Sequence, residues 1–180
     1  MLIRPASPAD LETMRAIYAP YVRETFFSFE YEVPSAESFA ARFERITAEF
    51  PWLAAEENGQ VVGYAYAARV FSRPGYAWDA ESSVYVREDC RHRGIGAALY
   101  RALEEILAQR GFVNLFAVVT ADNYNSVAFH QHIGYTLVAT LPRTGYKFGQ
   151  WHDIAWLVKV LRQADDPGPA PILALDQREC

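Results

Sequence analysis

Arg91-His92-Arg93-Gly94-Ile95-Gly96 follows a strand-like run, Ser82-Ser83-Val84-Tyr85-Val86, and opens an amphipathic helix. That junction decides the fold. Glycine permits a tight turn and a close approach of backbone N–H groups to an anion. The helix N-terminus adds partial positive charge, and Arg91 and Arg93 add full charges. A diphosphate-bearing ligand is the first implication. A dinucleotide fingerprint needs a further glycine where Leu99 stands, and a P-loop needs Lys and Ser or Thr where Ala97 and Ala98 stand. Both common nucleotide readings fail.

Working outward, the helix after the loop is expected to bury Ile95, Leu99, Leu103 and Ile106, to expose Arg101, Glu105 and Gln109, and to end at Gly111. Upstream, 2–4 reads as an edge strand stopped by Pro5. Ser7 and Pro8 then start a helix with a stripe of Leu11, Met14, Ile17 and Tyr21. A second helix begins after Ser35, places Phe39, Phe43, Ile46 and Phe50 on one face, and stops at Pro51. The runs 52–56 and 61–71 flank Asn58-Gly59, the sequence's strongest hairpin signal. Downstream come a strand over 113–120, a short helix over 123–133 closed by Gly134, and a strand pair over 135–141 and 152–160. This order predicts a mixed α+β fold. Residues 1–163 form one domain, and 164–180, rich in Pro and Gly over 165–171, form a tail packed loosely or not at all.

Composition narrows the function. A chain of 180 residues, 51% hydrophobic, is long enough for one buried core. Its net charge of −5 argues against nucleic acid as a partner. No apolar run approaches the roughly 18–20 residues of a membrane span. Cys90 and Cys180 make neither a disulfide framework nor a metal site. The expectation is a cytoplasmic protein without a metal, bound to neither nucleic acid nor membrane.

Two further clusters carry chemistry. Glu81 shares a strand face with Ser83 and Tyr85. A carboxylate there, among aromatics such as Tyr76, Trp78 and Tyr85, has its pKa raised by desolvation and can accept a proton near neutral pH. A solvated strand-end glutamate is the competing reading. Asn123, Ser126 and His130 fall on one face of the short helix. Asn and Ser can bond amide groups of a ligand lying along it, and His130 can donate a proton near pH 7. Capping by Asn123 and a satisfied histidine compete with that reading.

Together these motifs resemble the GCN5-related N-acetyltransferase (GNAT) superfamily. Arg91-x-x-Gly94-x-Gly96 resembles its coenzyme A pyrophosphate loop, and Asn123-x-x-Ser126-x-x-Phe129-His130 with Gly134-Tyr135 resembles its second signature. Trp78 to Val86, the histidine at 130 and Gly145-Tyr146-Lys147-Phe148-Gly149-Gln150-Trp151-His152-Asp153 more narrowly resemble the phosphinothricin and methionine sulfoximine or sulfone N-acetyltransferases. The likeness runs from about residue 3 to 160.

The resemblance implies a mixed, mostly antiparallel sheet of six to seven strands with helices on both faces, and transfer of acetyl from acetyl-CoA to the amino group of a small amino acid analogue. It implies Glu81 as general base and His130 as partner acid. Val84, Tyr85 and Val86 would bind pantetheine, Arg91, His92, Arg93, Gly94, Ile95, Gly96 and Ala97 the pyrophosphate, and Asn123 a further part of the cofactor, with Ser126 on the same helix face. Arg73, Glu81 and Ser83 are the candidates for holding the acceptor. A homodimer through the C-terminal strands is expected, since relatives form one. Phe26, Phe27 and Phe29 either line the acceptor pocket or staple the first two helices together, with packing the favoured role. Other amines, namely a peptide N-terminus, a polyamine or an aminoglycoside, and a non-catalytic acyl-CoA sensor are the alternatives.

Overall fold

A computed structural model describes residues 1–163 and 170–175. Strand β1 (Leu2–Pro5) leads through a single 3-10 turn, Pro8–Asp10, into α1 (Leu11–Arg23). Ser7 and Asp10 form a capping box there, and the Arg4 guanidinium holds the Asp10 carboxyl down at about 2. Helix α2 (Ala36–Thr47) is capped by Ser35, whose hydroxyl accepts from the Ser38 N–H at 3.1 Å. The hairpin β2 (Trp52–Glu57) and β3 (Gln60–Arg69) turns at Asn58 and Gly59, both with positive φ. Then come β4 (Asp79–Val86), α3 (Ile95–Arg110), β5 (Asn114–Thr120), α4 (Tyr124–His132), β6 (Thr136–Lys147) and β7 (Gln150–Val160).

The seven strands form one sheet in the order β1-β2-β3-β4-β5-β7-β6. Every neighbouring pair is antiparallel except β4 and β5. That parallel pair is registered only at Asp79, Ala80 and Glu81, against Asn114, Leu115 and Phe116. Beyond Glu81 the pairing of the two strands ends, which splits the sheet in its middle. This split positions the site.

Each face of the sheet has its own cover. Tyr85 meets Tyr18 and Tyr21 of α1 edge-on at 4.7 and 5.2 Å, while Trp52 lies within 6 Å of Phe39 and Phe43 of α2. On the opposite face α3 buries Ile95, Leu99, Tyr100, Leu103 and Leu107. Apolar burial of this kind contributes about 1.5–3 kcal/mol per large side chain.

Several expectations need adjustment. The α1 stripe is Met14, Ile17, Tyr18 and Val22, with Leu11 and Tyr21 only half-buried. In α3, Ile106 is half-buried and Tyr100 and Leu107 take the core positions. Strand β6 runs six residues past Leu141 because two register shifts carry it on to Lys147, so Gly145 to Asp153 is a hairpin around Phe148 and Gly149. Over 170–175 the tail is tied to the domain by hydrogen bonds: the Trp78 indole donates to the Ala170 carbonyl at 2.7 Å, and Leu173 exchanges bonds with Arg110. Residues 164–169 and 176–180, including Cys180, lie outside the described residues. No described helix is long and apolar enough to cross a membrane.

Candidate active site

The loop after β4 makes its concavity from backbone. His92 and Gly94 both hold left-handed φ, +60° and +79°. The first helical bond of α3 runs from the Ala98 N–H to the Gly94 carbonyl at 3.0 Å. No hydrogen bond is formed by the N–H groups from His92 to Ala97 among the described residues. A run of unpaired N–H groups at the head of a 16-residue helix is an anion site. A Cβ built on Gly94 meets nothing within 4 Å, so its surroundings are open.

Two details differ from the sequence reading. Gly96 does not turn the chain. It lies inside α3, and its missing side chain admits the Phe129 ring of α4, which would stand 3.3 Å from a Cβ. The arginine charges are shared: Arg93 pairs with Glu57 at 2.8 Å, and Arg91 lies 3.7 Å from Glu88 and over the Tyr21 ring at 4.9 Å. His92 and Arg93 are exposed at the loop, Ile95 is buried beneath it, and Ala97 is half-buried in the first turn.

The gap below the loop is edged by β4. Arg87 N–H bonds back to Val62 on β3, so the alternate peptide of Val86 faces the gap. There the Tyr21 hydroxyl donates to the Val86 carbonyl at 2.7 Å and accepts from its N–H at 3.2 Å. By the same alternation, the Val84 peptide also faces the gap, where β5 has already diverged. The Tyr85 side chain turns away into the tyrosine cluster of α1 and β3, and burial there raises its pKa. An extended, amide-bearing chain ending in a diphosphate fits these groups.

Glu81 stands where the split begins, registered between Ala68 and Phe116. Burial raises its pKa, with no cation to oppose the shift. Ser83, one step along the same face, is registered opposite Tyr66, whose hydroxyl is pushed up by burial. Phe116 joins Phe71 and Trp156 in an aromatic wall with centroids 5.8–6.0 Å apart. Arg73 is exposed on the loop between Phe71 and Tyr76, with no ion pair among the described residues. Spacing alone gave no sign of Tyr66, Phe71, Phe116 or Trp156, which converge from distant strands.

The structure brings His130 to Ser126, as helix spacing predicts, with Ser126 half-buried and His130 deeper. His130 is 2% exposed. Its Nδ1 lies 2.7 Å from the Ser126 carbonyl, which only accepts, so Nδ1 carries the hydrogen and Nε2 accepts from the Tyr100 hydroxyl at 2.8 Å. The Ser82 hydroxyl closes the chain, 3.2 Å from Tyr100 and 3.0 Å from the Phe116 carbonyl. Burial lowers the imidazole pKa from 6.5, so the ring is neutral at pH 7. With both nitrogens engaged it is a buried link from α4 through Tyr100 to β4. Asn123 caps α4, its Oδ1 accepting from the Ser126 N–H at 3.2 Å, which leaves its amide nitrogen for a ligand.

The phenylalanine segment staples differently from expectation, joining the α1–α2 connection to the far strands and not helix to helix. Phe26 stacks on His152 at 4.5 Å, and the Phe26 carbonyl accepts from Thr120 at 2.8 Å. His152 and Asp153 are no dyad: His152 Nδ1 lies 3.3 Å from Asp122, and Asp153 accepts from the Arg143 N–H. Cys90 is a buried thiol between Arg87 and Asp89. Among the described residues no group of three His, Cys, Asp or Glu could hold a metal ion.

Comparison with known proteins agrees with this architecture. Residues 3–156 match a family described as an acetyltransferase (GNAT) domain. The chain is 36% identical over 169 residues to a phosphinothricin N-acetyltransferase of Streptomyces viridochromogenes, covering 94% of this chain and 90% of that protein. It is 32% identical over 157 residues to the L-methionine sulfoximine/L-methionine sulfone acetyltransferase of Pseudomonas paraeruginosa, covering 86% and 91%. A crystal structure of a phosphinothricin acetyltransferase from Sinorhizobium meliloti in complex with acetyl-CoA superposes with a TM-score of 0.85 at 34% identity, covering 88% and 87%.

Proposed function

The chain belongs to the GNAT acetyltransferase family, and from that premise we propose that it moves acetyl from acetyl-CoA to the α-amino group of a small amino acid analogue of the phosphinothricin or methionine sulfoximine and sulfone type. The observation that carries this reading is the split between β4 and β5, with the unpaired N–H groups of His92–Ala97 at one end and desolvated Glu81 at the other.

Acetyl-CoA supplies an activated acyl carbon when bound. The N–H groups of His92 to Ala97 would hold its diphosphate, with Arg91 and Arg93 nearby, and the Val84 peptide and the Asn123 amide would align its amide arm beside the Val86 peptide that Tyr21 holds. Glu81 accepts the proton that an α-ammonium group must lose before its nitrogen can react. Its raised pKa suits that task, because a carboxylate with ordinary acidity is a weaker base. Ser83 and Tyr66 offer hydroxyls on the same face, and Arg73 can reach an acceptor's acidic group. His130 holds Tyr100 and, through it, Ser82 of β4. The exposed apolar surface of β6 and β7, with Leu137, Val138, Leu141 and Trp151, is the proposed homodimer face. A cytoplasmic setting accords with the free thiol of Cys90.

An acceptor panel with a thiol-release readout tests the substrate class. Phosphinothricin, L-methionine sulfoximine and L-methionine sulfone should be acetylated in preference to a peptide, a polyamine and an aminoglycoside. Transfer only to peptides would reject the proposed acceptor, and acetyl-CoA binding with no transfer to any amine would favour a sensor.

A further inference from the structure

Lys147, the last residue of β6, is 2% exposed, a rare place for an ammonium group. Its Nζ donates to the Val22 carbonyl at 2.7 Å and to the Ser28 carbonyl at 2.5 Å. Val22 lies in the last turn of α1, where carbonyls lack helical partners and the helix dipole is negative. Ser28 lies in the middle of the α1–α2 connection, and its hydroxyl meets Tyr18 at 2.6 Å. One buried cation therefore ties the end of α1, the connection and the far hairpin together.

Other contacts repeat that tie on the same side of the sheet as Glu81. Phe29 packs so closely on Gly145 that any Cβ there would overlap its ring. The Tyr31 hydroxyl donates to the Tyr146 carbonyl at 2.8 Å. Next along the connection Glu30 pairs with Arg42, and Tyr18, bonded to Ser28, packs edge-on against Tyr85, which shares a face of β4 with Ser83 and Glu81. The connection thus lies against the face of β4 that carries Glu81. A buried ammonium costs free energy that an apolar residue of similar length would avoid.

We propose that Lys147 is a positioning residue for the acceptor: it touches no substrate, but fixes residues 22–31 in the place that shapes acceptor binding. This rests on the reading of the Glu81 face as the acceptor side. Two variants and two readouts test it. Lys147→Met removes the donors and keeps the length, while Lys147→Gln keeps an N–H donor. For Met, KM for phosphinothricin should rise roughly tenfold or more with KM for acetyl-CoA within about twofold, and Gln should fall between Met and wild type. Hydrogen exchange over 22–31 should quicken in Lys147→Met while the β2–β3 hairpin stays protected. An unchanged acceptor KM, a parallel rise in both KM values, or loss of the folded state in both variants would overturn the proposal. Should wild type transfer no acetyl at all, the acceptor reading falls. Exchange over 22–31 then decides the tether alone, and unchanged exchange would remove that too.

Discussion

The two ends of the β4–β5 split are built from different materials. At the loop end the groups are backbone: N–H groups from consecutive residues 92–97, with one glycine in the left-handed region. At the Glu81 end they are side chains gathered from Tyr66, Phe71, Ser83, Phe116 and Trp156, with a wall tied by Lys147. A backbone site is indifferent to most substitutions and holds one invariant ligand group. A side-chain site changes with each substitution and can be retuned for a new acceptor.

The sharpest way to break this contrast is Glu81→Gln. If Glu81 is the base, transfer should fall by roughly 10²–10⁴-fold, measured as the initial rate of thiol release, with acetyl-CoA affinity unchanged. The sign for stability runs the other way. Folding raises the Glu81 pKa above 4.5, so its contribution is present below that value and is lost as pH rises through the raised one. At pH 7 the Gln variant should therefore melt no lower than wild type. A lower melting temperature would contradict the desolvated carboxylate.

Next in size is Gly94→Val. A β-branched residue at a φ of +79° costs about 1–2 kcal/mol, so acetyl-CoA should bind about tenfold more weakly while acceptor KM holds. Its mirror is Gly145→Ala, where a methyl group would collide with Phe29. Overpacking of about 1 kcal/mol or more should raise acceptor KM roughly fivefold and leave acetyl-CoA affinity alone. If each variant disturbed both ligands equally, the two ends would not be separable.

On ligand binding the smallest effect is expected at His130, whose contribution is read in stability. Its pKa is lowered by burial, so stability is full above 6.5 and is lost as pH falls, because the unfolded ring takes a proton the folded one refuses. His130→Asn should flatten the acid side of the melting-temperature profile. It should also cost about 1–3 kcal/mol at pH 7 by leaving the Tyr100 hydroxyl without its acceptor.

The same contrast explains what the sequence discloses. Gly94, Gly111 and Asn58-Gly59 were legible because each marks a local backbone conformation. Glu81 was legible because strand alternation and position beside the loop fixed its face. Gly96 and the depth of His130 are not legible for one shared reason: helix spacing shows which residues share a face, but not that Phe129 needs the room or that His130 reaches Tyr100. Lys147 and the aromatic wall give no local signal, since contacts spanning more than a hundred residues decide the lysine and contacts between three separate strands and loops decide the wall.

Calorimetric titration with acetyl-CoA, run beside acetyl-pantetheine, which lacks the pyrophosphate, tests the central claim most directly. Saturable binding of acetyl-CoA, roughly tenfold or more tighter than acetyl-pantetheine and weakened in Gly94→Val, is the predicted result. No heat with acetyl-CoA, or equal affinity for the two ligands, would contradict a diphosphate grip at the head of α3.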